Sequence, residues 1–397
     1  MDEYDIAIAG GGPIGCFIAE QLAFKGRRIS ILEEHPVIGE PMHCAGLVTK
    51  RVIDITKSSD DEIIQNRIYG AIIHSPDGSE LAIGGNKIHG LVINRRSFDE
   101  HLARKATKAG VDLFVTHKVL AAKKLPQYIE LTCQHNTQPS KIRCKLLIGA
   151  DGSHSQIRNL FTFPKPKETL QGIGADISDA LLDPHFVHIF VGQTIAPGFF
   201  AWVIPTNSHG TTARIGLCIG RHSHNSLQHY FTTLLQQPIL QHAIIMRRYG
   251  GTIPLGLLKK TADDRIMLVG DAAAQVKPTS GGGLYTGLIC ANHCISIAEN
   301  AFQANRFDET FLRSYHKRWT EEIGRELSLG MRFRRIFTRL SDDQINKYLK
   351  KLNNKKAISI INKYGDIDYP SKLAFPLVKT IPSLVSLAPV LMKRMKK

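Results

Sequence analysis

The 397-residue sequence contains no run of about 20 uncharged apolar residues, the length a helix needs to cross a bilayer, which argues against an integral membrane protein. A basic, apolar leader is also missing: Met1-Asp2-Glu3-Tyr4 is acidic and runs straight into a strand-like segment, so no secretory signal is expected. The seven cysteines (Cys16, Cys44, Cys133, Cys144, Cys218, Cys290 and Cys294) are odd in number and include no Cys-x-x-Cys pair. Neither a zinc centre nor a disulfide framework is indicated, no metal is expected, and a reducing cytoplasm is the plain reading. Internal repeats and low-complexity tracts are absent. Acidic residues are scarce, 35 against 51 Lys plus Arg, for a formal charge of +16. The excess suggests an anionic partner, yet no nucleic-acid module accompanies it, so nucleic acid is set aside. What remains is close to average globular composition, with 43% hydrophobic residues, enough to bury a sizeable core.

The opening of the chain has a definite order. Asp5 to Ala9 reads as a buried strand, then comes Gly10-Gly11-Gly12-Pro13-Ile14-Gly15, a helix to about Lys25, and a second strand from Arg28 to Leu32 ending at Glu33. This is the first βαβ unit of a dinucleotide-binding fold. Gly10 permits the tight turn, Gly12 lets the backbone approach a pyrophosphate, and Gly15 lets helix and strand pack closely; the phosphate then meets the positive end of the helix. Glu33 stands where a carboxylate accepts ribose hydroxyls, and its charge disfavours a 2′-phosphate, so FAD or NAD fits better than NADP. No second glycine fingerprint follows a strand and opens a helix, so a resident NAD(P) site is not expected beside the first.

Further along, Ser97 to Ala109 is an amphipathic helix, and two more strands, Lys145 to Ile148 and Ile266 to Val269, lead into Gly149-Ala150-Asp151-Gly152 and Gly270-Asp271-Ala272-Ala273. Residues 68–93 and 170–253 alternate apolar and polar residues between Gly and Pro, the pattern of antiparallel sheet. The expected class is therefore α/β (α+β): a discontinuous Rossmann-like domain of residues 1–67, 94–165 and 254–304, an inserted antiparallel-sheet substrate domain of 68–93 and 166–253, and a helical C-terminal region, 305–397. That last region is basic, with 21 Lys plus Arg against 9 Asp plus Glu in residues 301–397. Arg332, Arg334, Arg335 and Arg339 bracket Phe333, Ile336 and Phe337, which suggests an amphipathic face for a membrane surface or for an acidic electron donor. Pro370, Pro376, Pro382 and Pro389 prevent one long helix in the final segment, which ends Lys393-Arg394-Met395-Lys396-Lys397.

Gly10 to Gly15, Arg95-x-x-Phe98-Asp99, Gly149-Ala150-Asp151-Gly152-Ser153 and Gly270-Asp271-Ala272-Ala273 resemble the ordered motifs of FAD enzymes with the p-hydroxybenzoate hydroxylase fold. Within that group, Pro41-Met42-His43-Cys44-Ala45-Gly46, Pro278-Thr279-Ser280-Gly281-Gly282-Gly283 and Pro197 to Pro205 look like the geranylgeranyl reductase family, especially the archaeal digeranylgeranylglycerophospholipid reductases. The resemblance covers about residues 1–340. It implies FAD contacts from Gly10, Gly12, Pro13, Gly15, Glu33 and Glu34, from Cys44, Ala45 and Gly46, from Arg95 and Asp151, and from Gly270, Asp271, Gly281, Gly282 and Gly283. It places Cys44 near the reactive face of the flavin, with Cys44 or His43 the candidate for steering protonation of an alkene. An Asp-Gly turn after a strand is also a common structural turn, so Asp151 carries both readings.

The segment from Pro197 departs from the reductase pattern of Tyr, Trp and Phe-Pro at alternate positions: here the series is Phe200, Trp202, Ile204 and Pro205. Alternation puts Phe200, Trp202 and Ile204 on one face, which suits either a wall for an isoprenoid chain or a sheet face packed on the core. The same spacing resembles the Trp-x-Trp-x-Ile-Pro signature of flavin-dependent halogenases, which keeps a halogenase or monooxygenase as the alternative; a halogenase also needs a catalytic lysine that sequence alone does not assign. A second alternative is a non-catalytic, membrane-associated flavoprotein. The leading expectation is an FAD-dependent reductase saturating geranylgeranyl chains of an isoprenoid phospholipid, cytoplasmic and peripheral at an anionic membrane, with an acidic ferredoxin or NAD(P)H as electron donor.

Overall fold

The computed structural model describes residues 2–59, 62–135, 138–220 and 223–380. The end of the tail, with Pro382, Pro389 and the terminal basic cluster, lies outside them. The strand Asp2–Ala9 sits at the centre of an eight-stranded sheet, parallel to Ile29–Leu32 on one side and to Gln138–Gly149 on the other. Asp112–Phe114 and Ile266–Leu268 extend the parallel run at either end. Ile6, Ala7, Ile8 and Ala9 are buried on both faces, as parallel strands covered by helices require. His117–Lys124 and Ile129–His135 add an antiparallel flap.

Helices Pro13–Ala23, Arg95–Lys108, Leu284–Ala304 and Glu309–Trp319 close the main core over this sheet. The second of them starts two residues earlier than the apolar pattern suggested, because Asn94 caps it by accepting from the Ser97 N–H at 3.2 Å. Phe98, Leu102, Ala103 and Ala106 form its buried face, at helical spacing. Cys290 and Cys294 are buried on one face of the long helix, and burial pushes both thiols up. Trp319 is fully buried, with its indole N–H on the Thr261 hydroxyl at 3.0 Å.

A second sheet of seven strands runs in the order Ile244–Leu255, Glu168–Ser178, Ala213–Ile219, Ala201–Pro205, Phe186–Phe190, Gly70–His74 and Glu80–Gly84. Its pairs are antiparallel except one: Phe186–Phe190 runs parallel to Gly70–His74, where the chain returns after a long excursion. Leu47–Val48, Gly90–Ile93 and Ile64–Ile68 form a small third sheet between the two.

The C-terminal helices grip both sheets, and one of the four arginines expected on their surface, Arg334, is turned inward. Arg334 is buried, bonded to the Glu168 carboxylate at 2.6 and 2.9 Å and to the Gly198 carbonyl at 2.6 Å. Asp368 is 1% exposed and accepts from Lys277, Arg51 and Thr49. Arg334 therefore serves the fold, whereas Arg335 and Arg339 are exposed. No helix among the described residues is long and apolar enough to cross a membrane.

Candidate active site

Three loops converge on the C-terminal ends of the parallel strands. In the first, Gly10 has φ +103°, a conformation L side chains rarely adopt, and a Cβ there would run into the Ala150 carbonyl. A Cβ at Gly15 would run into the Gly10 carbonyl, whereas one at Gly12 would meet nothing within 4 Å, so the turn is tight on the inside and open outward. Pro13 takes the first helical position, where its missing N–H costs no hydrogen bond. The helix N-terminus faces outward with no side-chain cap, the arrangement that receives a phosphate. Glu33 accepts from the Gly11 N–H at 2.7 Å and the His35 N–H at 2.9 Å, which fixes its carboxylate beside the turn. Glu34 points to the surface, paired with Lys118 at 2.8 Å, and that contact lowers its pKa.

The second loop carries Gly270 and Asp271. Gly270 has φ +68° and its N–H donates to the Gln275 side chain at 2.7 Å. Burial raises the Asp271 carboxyl above the ordinary carboxylate range, and the charge of Arg95 pulls it back. Among the described residues no donor hydrogen-bonds this carboxylate, so it is free to receive polyol hydroxyls. Gly283 is required beside it, since a Cβ there would lie 2.6 Å from Asp271 Oδ1. Gly281 has φ +72° and turns the chain over Ile253 and Phe199, and Gly282 lies on the Lys277 side chain. The helix from Leu284 then begins without a side-chain cap, leaving N–H donors directed at the same space. Arg95 is held by Asp99 at 3.0 and 3.2 Å; burial works against its charge, but Asp99 and Cys44 outweigh that and raise its pKa.

Asp151 is engaged locally: it accepts from the Ser155 hydroxyl at 2.6 Å and the Ile157 N–H at 3.0 Å, starting the short helix Gln156–Leu160. The carboxylate thus serves the turn, the structural of its two expected roles. Its neighbour Ala150 presses against Gly10 and supports the first loop.

The third loop, His43 to Gly46, bridges the two sheets. Arg214 reaches from the second sheet to the carbonyls of Ala45 at 3.1 Å and Ile93 at 2.7 Å. A Cβ at Gly46 would strike the Arg214 guanidinium, and Gly46 has φ +72°. Cys44 Sγ accepts from the Gly46 N–H at 3.4 Å, in reach of Arg95. The His43 ring is bonded to the Gly250 carbonyl.

Facing this loop is one side of the seven-stranded sheet. Register places Trp202, Gly216, Gly174 and Tyr249 in a single row across four strands. A Cβ at Gly216 would lie 2.5 Å from the Trp202 ring, and one at Gly174 would lie 2.5 Å from the Tyr249 ring. The two glycines therefore make room for two aromatic rings lying on the sheet. The next row holds Cys218, Gly172 and Gly251, with Phe200 alongside and His43 over Gly251. Trp202 Nε1 and the Tyr249 hydroxyl are buried with no hydrogen-bond partner among the described residues. Phe200 stacks on Phe199 at 4.2 Å and meets Trp202 edge-on at 6.1 Å. Ile204 and Pro205 lie elsewhere: Ile204 packs with Ile68, Val92 and Val187, and the Pro205 carbonyl accepts from Asn66. The aromatic wall is thus Phe200, Trp202 and Tyr249.

The open glycine turn, the unpartnered Asp271 carboxylate and the uncapped helix at Gly283 together offer what a dinucleotide with a polyol arm and an electron-rich ring edge needs. Residues 3–318 match the FAD binding domain family. The chain belongs to that family. Its cofactor is FAD, and the family is one of oxidoreductases.

Relatives of this flavoprotein cover nearly all of its length. An uncharacterized protein of Methanocaldococcus jannaschii is 32% identical over 386 residues, 96% of each chain. A digeranylgeranylglycerophospholipid reductase of the same organism is 28% identical over 354 residues, 87% of this chain and 89% of the other. In fold it is similar to a geranylgeranyl bacteriochlorophyll reductase-like protein of Thermoplasma acidophilum, with TM-score 0.87 and 24% identity, covering 98% of this chain and 100% of that one.

Sequence reasoning missed Tyr249, Arg214 and Lys277. Tyr249 sits on an edge strand without a motif, and only Gly172-x-Gly174 and Gly216, glycines inside strand patterns, hint that rings press on the sheet. Lys277 is the one buried lysine among the described residues, and its ammonium is engaged by Asp368 at 2.7 Å and the Ile367 carbonyl at 3.2 Å.

Proposed function

We propose that this flavoprotein saturates the C=C bonds of geranylgeranyl chains on an isoprenoid ether phospholipid. The observation that carries the reading is the aromatic, glycine-floored face of the seven-stranded sheet opposite the Cys44 loop. Phe200, Trp202 and Tyr249 line it with ring surface beside Gly174 and Gly216, a lining that a hydrocarbon chain fits, and the Asp176–Arg214 ion pair occupies the neighbouring row. Relatives named as reductases of such a lipid support the choice.

When bound, FAD in its reduced form supplies hydride chemistry at its ring. The residues of the chain do the rest. Gly10, Gly12 and the helix from Pro13 hold the pyrophosphate, Glu33 the ribose, Asp271 and Arg95 the polyol arm, and Gly281 to Gly283 the ring edge. Phe200, Trp202 and Tyr249 exclude water and orient the alkene, which strengthens the electrostatics of a cation-like centre. Cys44 and His43 stand at the protonation face. Lys277 is engaged by Asp368, which disfavours a halogenase reading that needs a free lysine between the two pockets.

The test is anaerobic incubation of the reduced protein with unsaturated digeranylgeranylglycerol phospholipid, read by mass spectrometry. A ladder of products, each heavier by one H₂ equivalent, is the expected result. Unchanged lipid, with FAD bound and reduced, would refute the reading.

A further inference from the structure

We infer that the outer edge of the seven-stranded sheet, formed by Leu181, Ile244 and Met246, is the surface on which the protein docks to an anionic lipid bilayer. The inference rests on the reading of the protein as a reductase of a membrane lipid. Leu181 is 80% exposed, Met246 67% and Ile244 55%, among the most exposed large apolar side chains of the described residues. Ile244 and Met246 adjoin: Ile244 pairs with Ser178, and the Ser178 hydroxyl lies 3.5 Å from the Met246 sulfur; Leu181 follows Ser178 by three residues, where its neighbours Ala180 and Leu182 bond to Thr211 and Gly210. Apolar side chains grouped this way mark an interaction surface rather than scattered exposure.

The geometry selects the kind of partner. Ile244–Leu255 is an edge strand, and a straight edge would invite a strand from a second copy. Its register shifts here: Ile177 faces Ile245 while Asp176 faces Arg247, so Met246 is the extra residue of a β-bulge. A bulge bends and twists the edge and blunts strand pairing. The patch therefore suits a partner that needs no register. Arg247 and Arg248 follow directly and are exposed, Arg247 3.7 Å from Glu40 and Arg248 over the Phe231 ring, so that two cations stand beside the apolar side chains against one carboxylate, Asp179, on the Ser178 side. Apolar side chains flanked by arginines are the composition that anionic headgroups attract.

The same strand then enters the active site. Tyr249 is three residues beyond Met246, about 10 Å at the rise of an extended chain, and the next residue, Gly250, holds His43. A bilayer seated on this edge lies at the end of the strand that floors the lipid site. Among the described C-terminal residues, Arg334 and Asp368 are buried in ion pairs, and Phe375, Tyr364 and Ile367 are the exposed large apolar side chains, the last two less exposed than Ile244.

Flotation of the FAD-loaded full chain with vesicles of phosphatidylglycerol and phosphatidylcholine tests this. The parent is expected to float, less so in high salt. The triple substitution Leu181→Asp, Ile244→Asp, Met246→Asp is expected to lower the bound fraction about tenfold while retaining FAD, because it replaces the apolar wedge with like charge to the headgroups. Phe375→Asp is expected to float as the parent does. Equal flotation of the triple variant and the parent would overturn the inference, as would release by Phe375→Asp alone. So would light scattering that shows a parent dimer and a monomeric triple variant, since the patch would then be a self-interface. Vesicle binding lost in the triple variant, with no lipid reduced by the parent, would leave docking standing and remove the reductase reading. Lipid reduced in detergent by a parent that does not float would do the reverse.

Discussion

In the nucleotide turn Gly10 adopts φ +103°, a conformation that the backbone itself reserves for glycine, while Gly174 and Gly216 lie in extended strands that any residue could adopt. What excludes a side chain at Gly174 and Gly216 is the rings of Tyr249 and Trp202, 2.5 Å from where a Cβ would stand. The two sheets thus use the same residue for different ends. Glycine in the flavin sheet shapes a turn around a polar ligand, and glycine in the second sheet clears a floor for aromatic rings. Polar groups follow the same division. On the flavin side Glu33 and Asp151 are held by backbone N–H groups, and among the described residues no donor holds Asp271. On the other side an indole N–H and a phenol are buried without partners among the described residues. Precise polar recognition belongs to the first sheet and apolar accommodation to the second.

Substitutions separate the two. Gly15→Ala drives a Cβ into the Gly10 carbonyl, a backbone atom that cannot swing aside. The expected result is purified protein without the FAD absorbance near 450 nm, destabilised by at least about 3 kcal/mol in denaturant melts. Retention of full FAD content would break the account of the turn.

Acid acts on the second sheet. His188 is buried, with Nδ1 2.9 Å from His74 Nε2, and burial followed by the His74 charge lowers its pKa from 6.5 to about 4. A base with a depressed folded pKa contributes stability that is complete above pH 6.5 and lost as pH falls through 4. That loss amounts to at most about 3 kcal/mol, from the value of one pKa unit. Melting temperatures of the parent should fall over this window more steeply than those of His188→Gln. Parallel curves would show that His188 carries no such term.

Gly174→Ala should cost about 1–3 kcal/mol by overpacking against Tyr249, with FAD stoichiometry unchanged and lipid turnover reduced. Loss of FAD together with turnover would erase the separation between the sheets. The smallest effect belongs to Tyr249→Phe. Removing a hydroxyl that has no partner should change stability by less than about 0.5 kcal/mol, or raise it slightly. A loss of more than about 1 kcal/mol in urea melts would mean that the phenol has a partner after all.

The legibility of the sequence follows the same line. Gly10, Gly12, Gly15, Glu33 and Asp271 were readable because a nucleotide turn fixes spacing along the chain. The Trp202–Gly216–Gly174–Tyr249 row was not, because four strands far apart in sequence meet only through register, which periodicity does not determine. Arg334 misled for a related reason. An arginine between aromatic residues on a helix reads as surface until Glu168, 166 residues away, is seen to neutralise it. Ile204 alternated correctly with Trp202, yet the third sheet covers it, and alternation gives a face without saying what lies opposite.

The central claim is that the second sheet presents an alkene to the flavin side. Anaerobic stopped-flow of the reduced protein mixed with digeranylgeranylglycerol phospholipid tests it most directly, following recovery of oxidised flavin absorbance. The account predicts recovery in the parent without oxygen, and none in a Gly174→Val, Gly216→Val variant that still holds FAD. Recovery only after oxygen is admitted, or equal recovery in parent and variant, would contradict it.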